Sequence, residues 1–396
     1  MAKAEYTSVL LRFGELGIKS HQTRRRMTNL LIGHIESSLR ENDVPFEKVH
    51  SVYGRIYIDT KHAVKAAEVA AKVFGIVSTS PVVETTADLD DILNAGEELV
   101  RAEFRKGLSF AVGARRIGEH PFSSQDVRER LGERILEGIP ELDLKVDLSN
   151  PDQSIYAEVR NGKAHLFTQT IKGVGGMPTG SQGKVVCAIS TGLDSPIAAY
   201  KVMKRGCIPV FLHLDNTPHA DENCSEIAVK QAELLAKYIH GFEVKLYIVP
   251  HAPDIEEAQQ HAPKKMTCLF CKRNMLRIAR EIAIQEDAHA IVTGEIIGEQ
   301  ASQTTANLRV IEQAVTDFPI LRPLAGEDKV DIEHLAQEIG TYDFAMEGAS
   351  CCTLNPKYPE VRADPVEIAS CEESMDFDIL IEELKNAQII VLREGK

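Results

Sequence analysis

Two short stretches carry residue types whose spacing could do chemistry. Ser190-Thr191-Gly192-Leu193-Asp194-Ser195-Pro196 groups three hydroxyls, a glycine and a carboxylate just ahead of a proline. Gly192 allows a tight turn, and Pro196 suits the first position of a helix, where its missing N–H costs little. Free amides at a helix start, flanked by Ser190 and Ser195, form an anion site. Ser, Gly and Asp before a helix also serve as ordinary caps, so the stretch alone leaves that reading open. The GxxxxGK[ST] phosphate loop is absent, which separates the stretch from kinase and GTPase loops. The second stretch is Cys268-Leu269-Phe270-Cys271, expected just before a helix, with Cys351-Cys352 some eighty residues on. Such thiols suit zinc, a redox dithiol or an iron–sulfur cluster.

Elements must position these groups. Near-continuous apolar strands are expected at Lys184–Ile189, Cys207–Leu212, Glu243–Val249 and Ala290–Thr293. Helices are expected near Pro196–Lys204, Ser225–Tyr238, Arg273–Glu286 and Ile332–Ile339. That alternation predicts an α/β domain with a doubly wound parallel sheet. The hydroxyl-rich loop would then sit at a strand's carboxyl end, where such sheets bind ligands. The first half reads differently. A strand at Val9–Phe13, a helix at His21–Glu41 and a strand at Arg55–Asp59 open it. Helices near Leu89–Arg105 and Gln125–Glu137 follow, with strands near Leu108–Ala114, Ile155–Val159 and Ala164–Thr170. This half predicts small α+β modules. Gly173, Gly175, Gly176, Pro178, Gly180 and Gly183 read as a linker. The expected division is 1–62, 63–172, a linker at 173–183, and 184–396.

Composition bounds the rest. The chain has 396 residues, 43% of them apolar and 26% charged, as soluble globular proteins do. No leader of signal type opens it and no apolar run is long enough for a membrane span. Irregular cysteine spacing in a chain of this size suits a reducing cytoplasm, and no membrane partner is expected. The net charge of −14 opposes nucleic acid, yet it is uneven. Residues 1–175 carry 24 Lys and Arg against 25 Asp and Glu, and the remainder 21 against 34. Two basic clusters stand out: Lys19 with Arg24, Arg25 and Arg26, and Lys264, Lys265, Lys272, Arg273, Arg277 and Arg280. Either is an RNA-contact candidate, although charge runs are more often solvated faces. Cys187 and Cys207 read as core residues, Cys224 and Cys371 as bystanders, and His219, His251 and His261 form no metal-ligand spacing.

The heptapeptide resembles the SGGxDS pyrophosphate loop of ATP pyrophosphatases. Its setting from Gln182 to Ala198 resembles the tRNA 4-thiouridine synthetase (ThiI) family. So do Thr293-Gly294-Glu295, Ala301-Ser302-Gln303-Thr304, Asn307-Leu308-Arg309, Arg322-Pro323-Leu324, Asp328-Lys329 and Ile339-Gly340-Thr341. Gly14-Glu15-Leu16 and Lys19-Ser20 resemble the opening of that family's ferredoxin-like domain, and residues 63–170 its THUMP RNA-binding module. Thr191 departs from the pattern, which commonly has glycine there, and it should narrow the turn.

The resemblance implies an ATP-dependent tRNA sulfurtransferase that adenylates uridine 8 and replaces its 4-oxygen with sulfur. It implies an ATP site of Ala188, Ile189, Ser190, Gly192, Asp194, Ser195, His213, Leu214, Lys272, Gly294 and Gln303. Mg²⁺ would be held with the pyrophosphate, and Lys329 would steady the leaving charge. Asp215 is expected to be a strand-end cap instead. In many bacterial members a cysteine aligned with Cys352, or its neighbour, attacks a persulfide held on a C-terminal rhodanese domain. No such domain follows here, and the CxxC makes the chain similar to methanogen-type members whose three cysteines hold an iron–sulfur cluster. Cys268, Cys271 and Cys351 are the expected ligands and Cys352 the expected catalytic cysteine. A fourth iron without a thiolate could bind sulfide and present it to the base. Zinc, or a persulfide relay, stays open, as do a 2-thiocytidine synthetase, an amidotransferase-type synthetase and a non-catalytic tRNA-binding protein. The family also suggests tRNA, ATP and sulfide or another sulfur donor as partners, a homodimer, and a role in thiamine thiazole synthesis.

Overall fold

In the computed structural model, which describes residues 5–350 and 352–395, the chain divides into two compact units, 1–178 and 179–396.

The first unit opens with β1 (Ser8–Phe13), α1 (His21–Glu41), β2 (Lys48–Val52), β3 (Arg55–Asp59), α2 (Ala63–Ala71) and β4 (Ile76–Thr86). It continues with α3 (Leu89–Glu103), β5 (Ser109–Ile117), α4 (Ser124–Gly138), β6 (Lys145–Val146), β7 (Gln153–Arg160), β8 (Lys163–Phe167) and β9 (Ile171–Lys172). One sheet runs β2-β3-β1-β4-β8-β7-β5-β6, with β9 pairing β4. The eleven-residue β4 serves two cores. One end pairs antiparallel with β1 and the other with β8. Leu31, Ile35, Ala66 and Ile76 belong to the first core, and Val100, Leu131, Ile155 and Leu166 to the second. Neither α2 nor β4 was expected, because alanine-rich and Ser/Thr-rich stretches carry little apolar contrast.

The glycine-rich segment is not a free tether. Val174 N donates to Ala71 O at 2.9 Å and Gly175 N to Ile76 O at 2.8 Å. A Cβ on Gly173 would lie 2.2 Å from Ile76 O. Met177 is buried in the first core. Glycine there lets two backbones approach.

The second unit contains β10 (Lys184–Ala188), α5 (Asp194–Lys204), β11 (Ile208–Asp215), α6 (Cys224–Ala236), β12 (Val244–Pro250), α7 (Ala252–His261), α8 (Thr267–Gln285) and β13 (Ala288–Val292). After these come α9 (Thr305–Glu312), β14 (Ile320–Leu321), α10 (Lys329–Ile339), α11 (Tyr342–Met346), α12 (Pro365–Glu372), α13 (Asp378–Lys385) and β15 (Gln388–Arg393). The sheet order is β14-β13-β10-β11-β12-β15. Its first five strands are parallel, as expected, and β15 closes the edge antiparallel to β12. Val186, Val210, Phe270, Leu276 and Ile291 lie in the core between sheet and helices. The strand order reverses direction at β10, which makes the loop after β10 the switch point of the sheet. Among the described residues no helix is long and apolar enough to cross a membrane.

Candidate functional site

The loop leaving β10 folds onto the start of α5. Ser190 N donates to Ser195 Oγ at 2.8 Å, the two serine hydroxyls lie 2.9 Å apart, and Gly192 N donates to Ser190 Oγ at 3.3 Å. Thr191 does not strain the turn: its φ is not positive, and its hydroxyl donates to Ala349 O at 3.2 Å. Gly294, after β13, has a clear steric duty. A Cβ there would sit 2.9 Å from both N and Cα of Ser195, inside backbone contact distance.

The loop opens on a cavity of about 380 Å³. Of the residues expected at the nucleotide, Ala188, Ile189, Ser190, Asp194, Ser195, His213, Leu214, Lys272, Gly294 and Gln303 all line it. Gly192 does not line it, nor does Lys329, which instead reaches Asp194 Oδ1 at 2.6 Å and Glu299 Oε1 at 2.8 Å. Burial raises the Asp194 carboxyl, opposed by Lys329. For Lys329, partial burial works against the charge, but bonds to Asp194 and Glu299 outweigh it and hold the ammonium above its ordinary range.

His213, on β11, is buried; its Nδ1 lies 3.0 Å from Ile189 O, so this nitrogen carries the proton. Burial lowers its affinity for a second proton. Nε2 is therefore left as a bare acceptor with no partner among the described residues. Lys272 is held 3.3 Å from the buried Glu295, which Arg322 also approaches at 3.4 Å. Desolvation opposes the Glu295 charge, yet Lys272, the Thr293 hydroxyl and Arg322 keep its pKa below the usual range. Asp215 caps its strand end, accepting from Thr217 N at 3.0 Å and Thr217 Oγ1 at 2.7 Å.

The far wall is made of sulfur. Cys268 and Cys271 line the cavity, and so does Cys352. The CxxC lies inside the first turns of α8 rather than ahead of it, because Leu269 and Phe270 between the thiols are core residues. Burial, and then the nearby sulfurs of Cys271 and Cys352, push the Cys268 thiol up to about 11. Cys268 and Cys271 are in no disulfide. Cys351 lies outside the described residues. Cys187, Cys207 and Cys224 are buried away from this wall, Cys224 donating to Ser350 O at 3.4 Å.

Behind the thiols is a feature the sequence did not announce. His251 Nε2 lies 3.5 Å from Cys271 Sγ, and its Nδ1 lies 2.7 Å from Asp254 Oδ1 and 3.7 Å from Glu383 Oε2. An i, i+3 pair opening a helix was the available signal, but the third member arrives from α13. Full burial opposes charge on His251, yet Asp254 and Cys271 outweigh it and raise its pKa well above the ordinary value. The second basic cluster is largely spent on internal pairs: Lys265 with Glu360, Arg273 and Arg277 with Glu372, and Arg280 with Asp317. By contrast Arg24 and Arg25 line an open cavity of about 690 Å³ in the first unit, beside Arg55, which pairs with Glu158 at 3.0 Å.

A family model described as thiamine biosynthesis protein (ThiI) matches residues 180–377, a THUMP domain model matches 86–169 and a ThiI ferredoxin-like domain model matches 8–80. A probable tRNA sulfurtransferase of Methanosarcina acetivorans is 37% identical over 97% of this chain and 93% of its own. The chain belongs to the ThiI family. A relative so described from Methanocaldococcus jannaschii is 37% identical over 94% of the chain and 98% of its own. The crystal structure of a 4-thiouridine synthetase in complex with RNA and bound ATP superposes with a TM-score of 0.86 at 29% identity, covering 98% of this chain and all of that one. PH1313 from Pyrococcus horikoshii gives 0.67 at 26% identity, over 84% and 99%. These likenesses run through both units.

Proposed function

We propose that this chain is an ATP-dependent tRNA sulfurtransferase that converts uridine 8 to 4-thiouridine. The observation that carries the reading is a single cavity with a phosphate-binding loop on one wall and three thiols on another. Adenylation and sulfur transfer at one base need those two chemistries side by side. The family relatives, and the neighbour solved with RNA and ATP, support it.

In this reading uridine O4 attacks the α-phosphorus of ATP and pyrophosphate leaves. A carbonyl oxygen is a poor leaving group, whereas AMP departs readily once sulfur has attacked C4. Ser190 and Ser195 hold the pyrophosphate at the start of α5, with Gly192 shaping the turn. Lys329 neutralises charge as it leaves. Asp194, with Glu299 close by, is the carboxylate set for Mg²⁺. The bare His213 Nε2 accepts a hydrogen bond from adenine or ribose, and Lys272 and Gln303 complete the nucleotide contacts.

Three half-buried thiols in one wall fit a cationic iron–sulfur group, which would relieve the cost that burial sets against ionising Cys268. Cys268 and Cys271 would hold it together with Cys351 or Cys352. When bound, the group supplies an iron that can present sulfide. Residues 1–62 and 63–172 would grip the tRNA by backbone and shape contacts, with Arg24 and Arg25 among the phosphate ligands. We place the enzyme in the cytoplasm as a homodimer.

The test is anaerobic purification, then iron, sulfide and zinc analysis beside nucleoside analysis of tRNA treated with ATP and sulfide. 4-Thiouridine together with bound iron is expected. No AMP formed in the presence of tRNA would sink the function. Thiolation by iron-free, zinc-free protein would leave a cysteine persulfide relay, with Cys352 as its nucleophile.

A further inference from the structure

The second unit contains one fully buried group of ionisable side chains that the mechanism above does not use. His251, Asp254 and Glu383 are each at most 3% exposed, and one ligand atom from each lies within 4.8 Å of the others. Their outer atoms are already committed. Asp254 Oδ2 accepts from Asn274 Nδ2 at 2.6 Å, and Glu383 Oε1 accepts from the Asp254 N–H at 3.0 Å. Only one oxygen of each carboxylate is left, and both face His251 Nδ1. The 2.7 Å from Nδ1 to Asp254 Oδ1 is an ion-pair distance, closer than two ligands of one metal ion usually sit. The group is a proton holder rather than a metal site.

The other ring nitrogen decides what it is for. Nε2 points at Cys271 Sγ, 3.5 Å away. A cysteine bound through its thiolate has no proton to give, so that contact is favourable only if Nε2 carries one. Two buried carboxylates lie on the opposite edge of the ring, at ion-pair distances from Nδ1.

We propose that His251 is a positioning residue for the sulfur site: it donates Nε2–H to the Cys271 sulfur, with Asp254 and Glu383 fixing the ring from behind. The inference rests on the reading of Cys271 as a cluster ligand. Its consequence is electronic as well as geometric. A donor on a ligand sulfur withdraws charge and favours the reduced form, so hydrogen bonds to sulfur set cluster potentials.

The experiment compares anaerobically reconstituted wild type with His251→Leu, His251→Gln and Asp254→Asn, reading iron and sulfide content and the midpoint potential from a dye-mediated titration. Glutamine places an amide N–H near the position of Nε2, whereas leucine has no donor. The expected result is a shift to more negative potential in His251→Leu, recovery of most of it in His251→Gln, and a smaller negative shift in Asp254→Asn, whose ring loses its anchor. A merely structural role would lower iron content in every variant without that ordering. Iron-loaded His251→Leu at the wild-type potential overturns the proposal, as does a glutamine variant that behaves like leucine. If His251→Leu does not fold, Asp254→Asn decides: an unshifted potential there overturns the relay. Wild type that takes up no iron at all fails the cluster reading first, and the proposal falls with it.

Discussion

The two walls of the cavity are built in opposite ways. The phosphate loop on one wall is local: Ser190, Gly192 and Ser195, all within six residues, bond to each other at the start of α5. The sulfur wall is assembled from segments far apart, with Cys268 and Cys271 on α8, Cys352 from a later loop, and His251 and Glu383 behind them. A contiguous loop can be read from sequence and repaired by a neighbour. An assembled wall depends on the whole sheet being in place. Variants should therefore separate the two walls in kind as well as in size.

The largest separation is expected from Cys268→Ala. Thiolation should fall to background while tRNA-dependent AMP formation continues, read by nucleoside chromatography and nucleotide release on the same sample. Loss of both would mean that the walls act as one. Next comes Lys329→Met, which removes the cation from Asp194 and Glu299. AMP formation should slow by about 10²–10³ in kcat, the usual cost of a charge-stabilising donor. Iron content should not change. Gly294→Ala is a smaller, steric test: its methyl would meet the backbone of Ser195 and Asp194. A loss of about 1–3 kcal/mol in stability is expected from such overpacking, measured by denaturant titration, with a raised KM for ATP. The smallest effect belongs to Thr191→Gly. It deletes the hydroxyl bond to Ala349 O and frees the backbone, costing about 1 kcal/mol. An unchanged melting temperature would show that the departure from glycine at this position carries no stability.

The same contrast explains what was legible beforehand. The phosphate loop, α1 and β3 were readable because hydroxyl spacing and apolar periodicity are local signals. α1 spans His21–Glu41 and β3 Arg55–Asp59, as their patterns indicated. The ferredoxin-like and THUMP modules and the parallel sheet followed from resemblance and strand texture, and the family matches agree. The nucleotide residues beyond the loop came from resemblance alone, since nothing in the spacing of His213, Lys272 and Gln303 links them. His251 was passed over because its partners are Cys271, twenty residues on, and Glu383, beyond a hundred. α13 was missed because its acidic residues hide one apolar face, while β15, an apolar run of six residues, was simply not picked out. The second basic cluster misled in the opposite sense: no acid interrupts it in sequence, yet Glu372, Asp317 and Glu360 reach it in space.

The antiparallel strand β15 has a consequence for how the molecule is made. Until Gln388–Arg393 pairs with Val244–Pro250, the outer edge of β12 presents open amides and carbonyls. Glu383, just before it, is also needed to close the charge behind His251. On the ribosome, then, the first five strands can emerge and pack while this edge is still adhesive and its buried histidine half-compensated. That interval exposes the chain to mispairing, and the late segment ends it by sealing the sheet and the proton holder together.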